Sequence, residues 1–270
     1  MTNPESNIAV SMVALGPKPK ISPRAIVNDI RQTWPGIGEL SKPETDKKVL
    51  SFTIGDNIFA GITLIGTPIP WSDLEGPCAT SVLWPGATEV LSNHRAHCLI
   101  TLMFQTPRTP LAKSRLLTMI TASVAHVCEQ AVGVYWGNAT LVIRPDMFRD
   151  FAVEILPHGP PLPIWVDFRV GTNKRGTTSG FTHGLTALGM MELECENATE
   201  PPGELRARFE GLIGYLLENG PVIRDGDTIG ESMTERIKVD FCPSSFGHDR
   251  QVMRLDYSPP EKKKGWFSRG

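Results

Sequence analysis

A glycine-rich segment in the second half of the chain carries the side chains best suited to bind an anion. It runs from Gly171 to Gly184 and reads GTNKRGTTSGFTHG, so Lys174, Arg175 and His183 lie among glycines and threonines. Backbone N–H groups in such turns can hold a phosphate or a carboxylate, and the cationic side chains would add to the binding. The segment does not match GxxxxGK[ST] and is not a P-loop. A flexible long hairpin explains the same glycines without any ligand.

Carboxylates in two apolar runs are the other candidates for chemistry. Asp167 interrupts the run IWVDF, where a buried carboxylate needs a partner, and Arg169 lies on the same face of a strand two residues on. A structural ion pair is the simpler interpretation. In the next run Glu192, Glu194 and Glu196 alternate with apolar residues, which predicts a half-exposed strand. A catalytic pair would combine Asp167 with Glu192 or Glu194.

The remaining motifs do not predict a catalytic, metal or cofactor site. Asp225 and Asp227 in DGDTIG have a spacing that suits a hard cation, but the other ligands of a calcium loop are missing. We interpret them as turn residues that bond to their own backbone. His94 and His97 would point to opposite faces of a strand, which does not suit zinc. The sequence lacks GxSxG, HExxH and GxGxxG, so we assign no catalytic residue, no metal and no cofactor.

Composition is that of an ordinary globular protein and excludes several functional classes. The 270 residues are 40% hydrophobic and 21% charged, with a formal net charge of -2, which argues against a nucleic-acid binder with a broad basic face. The start of the chain does not read as a secretory signal, and no apolar run reaches the roughly 18 residues of a membrane span. Five scattered cysteines without a CxxC pair indicate reduced thiols in a cytoplasmic protein.

The order of apolar runs and turn signals predicts an α+β protein. In the first half, strands and helices follow the order strand, helix, strand, strand, helix, strand, which is the ferredoxin-like βαββαβ pattern. Ser22 is predicted to cap the first helix, and Gly55-Asp56-Asn57 to form a tight hairpin turn. A long helix follows at 111–132, with Gly133 predicted to end it. The same order then begins again, with strands at Ile164–Val170 and within Leu188–Cys195 and an additional strand at the end. We therefore predict two ferredoxin-like βαββαβ units in pseudo-duplication joined by a long helix; a single larger α+β sheet is the alternative.

Domain boundaries follow from this reading. The first unit is predicted at 1–108, the linking helix at 109–134 and the second unit at 135–258. Residues 259–270, PPEKKKGWFSRG, are proline-led and basic, which predicts a disordered tail. A membrane or partner contact through its three lysines and two aromatic residues is the alternative, although so few groups bind a bilayer only weakly.

One helix of the second unit allows a prediction about its core. The apolar residues of 204–218 fall on one helical face across about four turns. Such a face normally packs on the sheet of its own unit. We therefore expect Phe209 and Leu212 to be buried, and Gly220 to end the helix.

Four stretches together resemble a known family. They are YWGNATLV, LPIWVDFRVG, GFTHGLTALGMMELE and DGDTIG, followed by the basic and aromatic tail. In these features the chain resembles the bacterial family catalogued as domain of unknown function 4261, over most of its length and most strongly in its last half. The family carries no established activity, so the resemblance implies no catalytic residues. It implies a standalone cytoplasmic protein, and the resemblance of some relatives to neighbours of secreted-toxin systems such as type VI secretion implies an immunity-type role.

The leading hypothesis is therefore a non-enzymatic protein-binding module, either an immunity-type protein that neutralises a cognate toxin or an adaptor. Ferredoxin-like sheets offer an exposed face or edge to a partner. Glu192, Glu194 and Glu196 would present such a face.

The competing hypothesis is a binder of small phosphate or carboxylate ligands, or an enzyme, that acts at the Gly171–Gly184 loop. Its anion ligands would be Lys174, Arg175 and His183, with Asp167 nearby. No feature of the sequence names the partner or the ligand.

Overall fold

The computed structural model describes residues 6–46, 48–230, 232 and 235–258, and its chain divides into two compact units. Unit 1 consists of the chain up to Asp167 together with His183–Met190. Unit 2 consists of Phe168–Thr182 and the chain from Met191 onward. The basic tail lies outside the described residues, and so does its predicted disorder.

Unit 1 is built on an antiparallel sheet. Its strands in the described part of the chain are β1 (Ile8–Leu15), β2 (Glu44–Asp46), β3 (Val49–Ile54), β4 (Ile58–Ile65), β5 (Ala96–Phe104), β6 (Ala131–Trp136) and β7 (Leu141–Ile143). They lie in the order β2-β3-β4-β5-β1-β6-β7, and each neighbouring pair is antiparallel. The tight turn Gly55-Asp56-Asn57 joins β3 to β4, with Gly55 at a φ of 56°, where glycine is unstrained.

The helices of unit 1 cover both faces of this sheet. They are α1 (Pro23–Thr33), α2 (Trp71–Thr80), α3 (Ala87–Leu91), α4 (Pro110–Val127), α5 (Pro145–Ile155) and α6 (Leu162–Trp165). Helix α1 begins as its sequence predicts, with the Ser22 hydroxyl accepting a hydrogen bond from the Ala25 N–H group. Helix α4 packs against β1, α1 and α5. Helices α2 and α3 form a second apolar cluster with Ala14 and Val142.

Buried hydroxyl groups on α4 are satisfied by side chains from other elements of unit 1. The Thr118 hydroxyl accepts a 2.7 Å hydrogen bond from the Trp165 indole, and the Ser123 hydroxyl accepts one of 3.1 Å from the Trp34 indole. The Thr121 hydroxyl lies 2.6 Å from the Ser11 hydroxyl of β1. A buried polar group is costly without a partner, so these bonds fix how α4 lies on its neighbours.

Unit 2 is built on a mixed sheet with one long helix. Its elements are β8 (Asp167–Thr172), β9 (Thr178–His183), β10 (Leu193–Ala198), α7 (Pro202–Asn219), β11 (Thr228–Ile229), β12 (Ile237–Pro243) and β13 (Gln251–Asp256). The strand order in the described residues is β11-β12-β13-β10-β9-β8. Strands β10 and β13 are parallel, and α7 lies between them in the chain, as a parallel pair requires a long connection.

Helix α7 supplies apolar residues to the core of unit 2. Phe209 is fully buried and Leu212 is 8% exposed, which confirms the prediction for both residues. Gly220 follows the helix at a φ of 77°, as expected for a glycine that ends a helix. None of the helices in the described ranges combines the length and apolar composition that a membrane crossing requires.

The structure confirms a mixed α+β protein and does not confirm two ferredoxin-like βαββαβ units. The two sheets differ in strand number and in strand order, and a parallel strand pair is found in unit 2. In unit 1, β5 lies between β4 and β1, and all neighbouring strands are antiparallel. A ferredoxin-like unit would also have antiparallel neighbours, but it would place β1 between β4 and β5.

The division between the units also differs from the predicted boundaries at 108 and 135. Helix α4 ends at Val127, and the following residues Ala131–Trp136 form a strand that pairs with β1. Gly133 therefore does not end a helix. A Cβ atom at this position would lie 2.7 Å from the side chain of Leu91, so glycine allows the strand to approach α3 closely.

Two strands of the second half begin later than their apolar runs predict. The run from Ile164 starts with the short helix α6 and becomes a strand only at Asp167. The run from Leu188 ends a 3₁₀ helix, turns at Gly189 with a φ of 82°, and becomes a strand at Leu193. Local turn residues therefore override the apolar pattern at both starts.

Replacing Phe209 with alanine tests the assignment of α7 to the core. We expect Phe209→Ala to lower the free energy of unfolding by about 3–5 kcal/mol, because the substitution removes a fully buried ring. Chemical denaturation measures this change. Tyr215→Ala on the same helix is the control, because Tyr215 is 49% exposed and should change stability by less than about 1 kcal/mol. Equal losses in both variants would contradict the assignment.

Candidate functional site

We call the face of the unit 2 sheet that carries Glu196 and Arg254 its outer face. It bears an open groove with a volume of about 960 Å³. Charged side chains of both signs and two phenylalanines contribute to its lining. The residues that line it are Asn173, Lys174, Arg175, Thr177, Ser179, Glu196, Asn197, Asp225, Asp240, Phe241, Cys242, Phe246, Arg254 and Asp256. They come from the β8–β9 turn, from four strands, from the segment before β11 and from the loop after β12. The groove is therefore a property of the whole sheet face.

The β8–β9 connection is a short hairpin turn, because β8 ends at Thr172 and β9 begins at Thr178, so most of the predicted Gly171–Gly184 loop is strand. The Asn173 amide oxygen accepts hydrogen bonds from the N–H groups of Arg175, at 2.9 Å, and Thr177, at 3.3 Å. Gly176 has a φ of 79° and completes the turn. These bonds hold the backbone while Lys174 and Arg175 remain exposed at the end of the groove. Asparagine supplies this local bonding more readily than most residues.

Glu194 is fully buried, so it cannot belong to an exposed acidic face. Its carboxylate accepts hydrogen bonds from the Ser244 hydroxyl and, at 3.0 Å, from the Ser245 N–H group. A guanidinium nitrogen of Arg254 lies 3.3 Å from it, on the neighbouring strand β13. A buried carboxylate needs charge compensation and hydrogen bonds together, and this site provides both.

Glu192 is also buried, at 4% exposure, and its carboxylate accepts a 2.9 Å hydrogen bond from the Thr182 hydroxyl. Glu196 is different, because its side chain is 50% exposed and it lines the groove. Its carboxylate accepts a 2.5 Å hydrogen bond from the Ser245 hydroxyl. Of the three predicted glutamates, Glu196 alone is therefore available to a partner.

Arg254 holds the centre of the outer face together. Besides Glu194, its guanidinium contacts Glu196 at 3.4 Å and donates to the Pro243 carbonyl and the Ser245 hydroxyl, both at 2.8 Å. Its Nε atom is buried without a hydrogen-bond partner among the described residues. One guanidinium thus contacts two carboxylates and fixes the start of the β12–β13 loop.

Aromatic contacts hold the same loop at its middle. Phe246 stacks on Phe181 of β9 with ring centroids 5.0 Å apart, and the His248 ring meets the edge of Phe181 at 5.7 Å. The Arg169 guanidinium lies over the Phe181 ring at 5.9 Å. The Ser244 hydroxyl accepts 3.0 Å hydrogen bonds from the N–H groups of Phe246 and His248. Phe246 is thereby fixed as an apolar wall of the groove.

Asp227 bonds to the backbone of its own turn, as predicted, whereas Asp225 bonds to the backbone of strand β12. Asp225 accepts a 2.7 Å hydrogen bond from the Phe241 N–H group, and Asp227 accepts one of 2.8 Å from Arg224. Among the described residues, no group of His, Cys, Asp and Glu has the arrangement of a metal site. His94 also serves the backbone, with its Nε2 atom accepting from the Ile69 N–H group at 2.7 Å.

The predicted anion ligands do not all lie in the groove. Lys174 and Arg175 line it, whereas Asp167 and His183, at the ends of β8 and β9 away from the turn, are not among its lining residues. Asp167 is buried, at 7% exposure. The structure therefore brings together two of the four predicted ligands.

Several groove residues have no local sequence signal. Arg254, Ser244 and Phe246 follow Glu194 by about fifty residues or more, and only the fold brings them to the same strand face. The available hint is the alternation of Arg254 and Asp256 with buried residues in β13. This pattern marks one face of a strand but does not show which distant residues lie beside it.

Burial separates the roles of two neighbouring glutamates and can be tested by paired substitution. We expect Glu194→Gln to lower the free energy of unfolding by about 1.5–3 kcal/mol, because it weakens charge-assisted hydrogen bonds in a buried site. Glu196→Gln should change it by less than about 1 kcal/mol, because that carboxylate is half exposed. Urea denaturation at neutral pH measures both. A larger loss for Glu196→Gln would contradict the described burial.

Comparison with known proteins gives a family match over part of the chain and no function. Residues 181–256 match the model of the family described as Domain of unknown function (DUF4261), in agreement with the resemblance seen in the sequence. Neither the curated proteins nor the solved structures yield a match. The matched residues include Glu194, Glu196, Asp240 and Arg254. Residues 181–256 are therefore similar to DUF4261, and this part of the chain supplies much of the groove in unit 2.

Proposed function

We propose that this protein is a non-enzymatic protein-binding module whose partner docks in the unit 2 groove. The observation that carries the proposal is the groove itself. It is open, has a volume of about 960 Å³, and is lined by charged residues of both signs and by Phe241 and Phe246. Aromatic residues are enriched at protein interfaces, and complementary charges select one partner over others. A nucleic-acid backbone lying along the groove would meet four carboxylates, which disfavours that class of partner.

The chemical state of the groove's nucleophilic groups supports a binding role over a catalytic one. Burial raises the pKa of the Cys242 thiol despite the nearby positive charge of Arg254, so this thiol stays protonated at neutral pH. The hydroxyls of Ser244 and Ser245 bond to the carboxylates of Glu194 and Glu196, which hold the β12–β13 loop. Both hydroxyls are therefore engaged in holding the fold.

The proposal extends to the class of partner. The DUF4261 match covers most of the strands that line the groove, and the family resemblance implies an immunity-type protein or an adaptor in a bacterial secreted-toxin system. We assign the partner as a protein, with a cognate toxin as the first candidate. The five cysteines are all free thiols, which supports action in the reducing cytoplasm.

Filling the groove should abolish partner capture. We expect proteins captured from the native cell extract by the immobilised wild-type chain to be lost with Ser179→Trp, because Ser179 lines the groove on β9 and a bulky ring would occupy it. Asp240→Lys is a second variant that changes charge without large volume. Quantitative mass spectrometry of the captured proteins is the measurement, and unchanged melting temperatures show that both variants fold.

Val82→Trp is the matched control, because Val82 is 70% exposed in unit 1. It should leave the captured proteins unchanged. Capture that survives both groove variants and is lost with the control would place the binding surface in unit 1 and overturn the proposal.

A further inference from the structure

Two carboxylates of the unit 2 groove already lie next to cations of the protein. Glu196 contacts Arg254 at 3.4 Å, and Asp240 contacts Lys238 at 2.5 Å. An incoming group would compete with these pairs. They therefore offer little net attraction to a partner's cation.

The other two groove carboxylates are bonded to N–H groups of the protein. Asp225 accepts a hydrogen bond from the Phe241 N–H group at 2.7 Å. Asp256 accepts from the Asn197 amide at 3.2 Å and from the Ser258 N–H group at 2.9 Å. All four carboxylates thus spend hydrogen-bonding capacity on the fold.

Two groove cations are not compensated. Lys174 and Arg175 are exposed, and neither side chain has a hydrogen-bond or ion-pair partner within the described residues. The hydrogen bonds of Asn173 fix the backbone on which they stand. The groove therefore has unused donors and positive charge at one place, the β8–β9 turn.

The strand order places this positive charge at one side of the groove. The β8–β9 turn lies at one side of the sheet, while Asp240 is on β12 near the other side, with β13 and β10 between them. Phe241 and Phe246 provide apolar surface in the same groove. An occupant that fits must be acidic where it meets Lys174 and Arg175 and largely uncharged beyond them.

The geometry points to a polypeptide segment of the partner that places two or more carboxylates against Lys174 and Arg175, and this inference rests on the proposed function. A single small anion would meet two solvent-exposed cations with little gain in free energy. It would also leave most of a 960 Å³ groove unfilled. A segment that continues over Phe241 and Phe246 adds apolar contact to the ion pairs.

Three defined peptides test the inference on the full chain. They are labelled decapeptides in a Gly-Ser background that differ in a central tetrad of Glu, Gln or Lys, titrated by fluorescence anisotropy at low salt. We expect the Glu peptide to bind at least tenfold more tightly than the other two, and its binding to weaken as salt rises. Comparable binding of the Gln peptide would overturn the inference.

Charge reversal locates the contact. We expect Lys174→Glu/Arg175→Glu to weaken binding of the Glu peptide at least tenfold. Both residues are exposed, so the melting temperature should not change. Lys20→Glu/Lys42→Glu makes the same change of net charge on exposed residues of unit 1 and should leave binding unchanged. Equal weakening by both pairs would show a net-charge effect and contradict the proposed contact.

Two further outcomes are informative. Inorganic phosphate is added at a concentration that supplies the same total negative charge as the Glu peptide. If it displaces the peptide, the site is one for small anions and the inference of a polypeptide segment fails. If partner capture is lost with Ser179→Trp but persists with Lys174→Glu/Arg175→Glu, the groove remains the binding surface and only the acidic-segment inference is wrong. The two proposals therefore fail separately.

Discussion

The buried carboxylate of Glu194 determines how the outer face of unit 2 is arranged. Glu194 sits in the middle strand β10, where an ionised group is costly unless it is both paired and hydrogen-bonded. Arg254 on the adjacent parallel strand provides the charge, and Ser244 and Ser245 provide the hydrogen bonds. The β12–β13 loop must therefore lie over this face, and Phe246, stacked on Phe181, becomes a wall of the groove.

The same pairing decides which charges are left for a partner. Arg254 is shared between Glu194 and Glu196, so its single positive charge is not available to a partner. Positive charge remains at the β8–β9 turn, where Lys174 and Arg175 stand on a backbone held by Asn173. The charge of Arg254 is thus used to hold the fold, and the cations available to a partner lie at the β8–β9 turn. This separation suits binding, because substitutions at the turn can alter a partner without disturbing the fold.

Sequence reasoning succeeded where the signals are local. The hairpin around Gly55, the cap at Ser22 and the buried face of α7 follow from turn chemistry, capping and helical spacing, and the structure confirms them. The failures involve long-range contacts. Gly133 looked like a helix terminator because its contact with Leu91 lies more than forty residues away. Glu194 looked exposed because alternation shows which residues share a face, and not that a later loop covers it.

The residues of the candidate site also divide into those with a local sequence signal and those brought in by long-range contacts. Lys174 and Arg175 are visible in the sequence because a turn motif carries them, whereas Arg254 and Ser244 join the site only through strand pairing. Asp167 and His183, close in sequence to the turn, lie at the far ends of β8 and β9 and do not line the groove. Nearness in the chain was therefore a poor guide to membership of the groove.

Hydrogen–deuterium exchange of the chain with and without its captured partner tests the central claim most directly. The account predicts slower amide exchange on binding in two segments that frame the groove, 173–177 and 240–246. Amides of α7 and of the unit 1 helices should be unaffected. Protection confined to unit 1 or to α7, with the two groove segments unchanged, would contradict the assignment of this face as the binding surface.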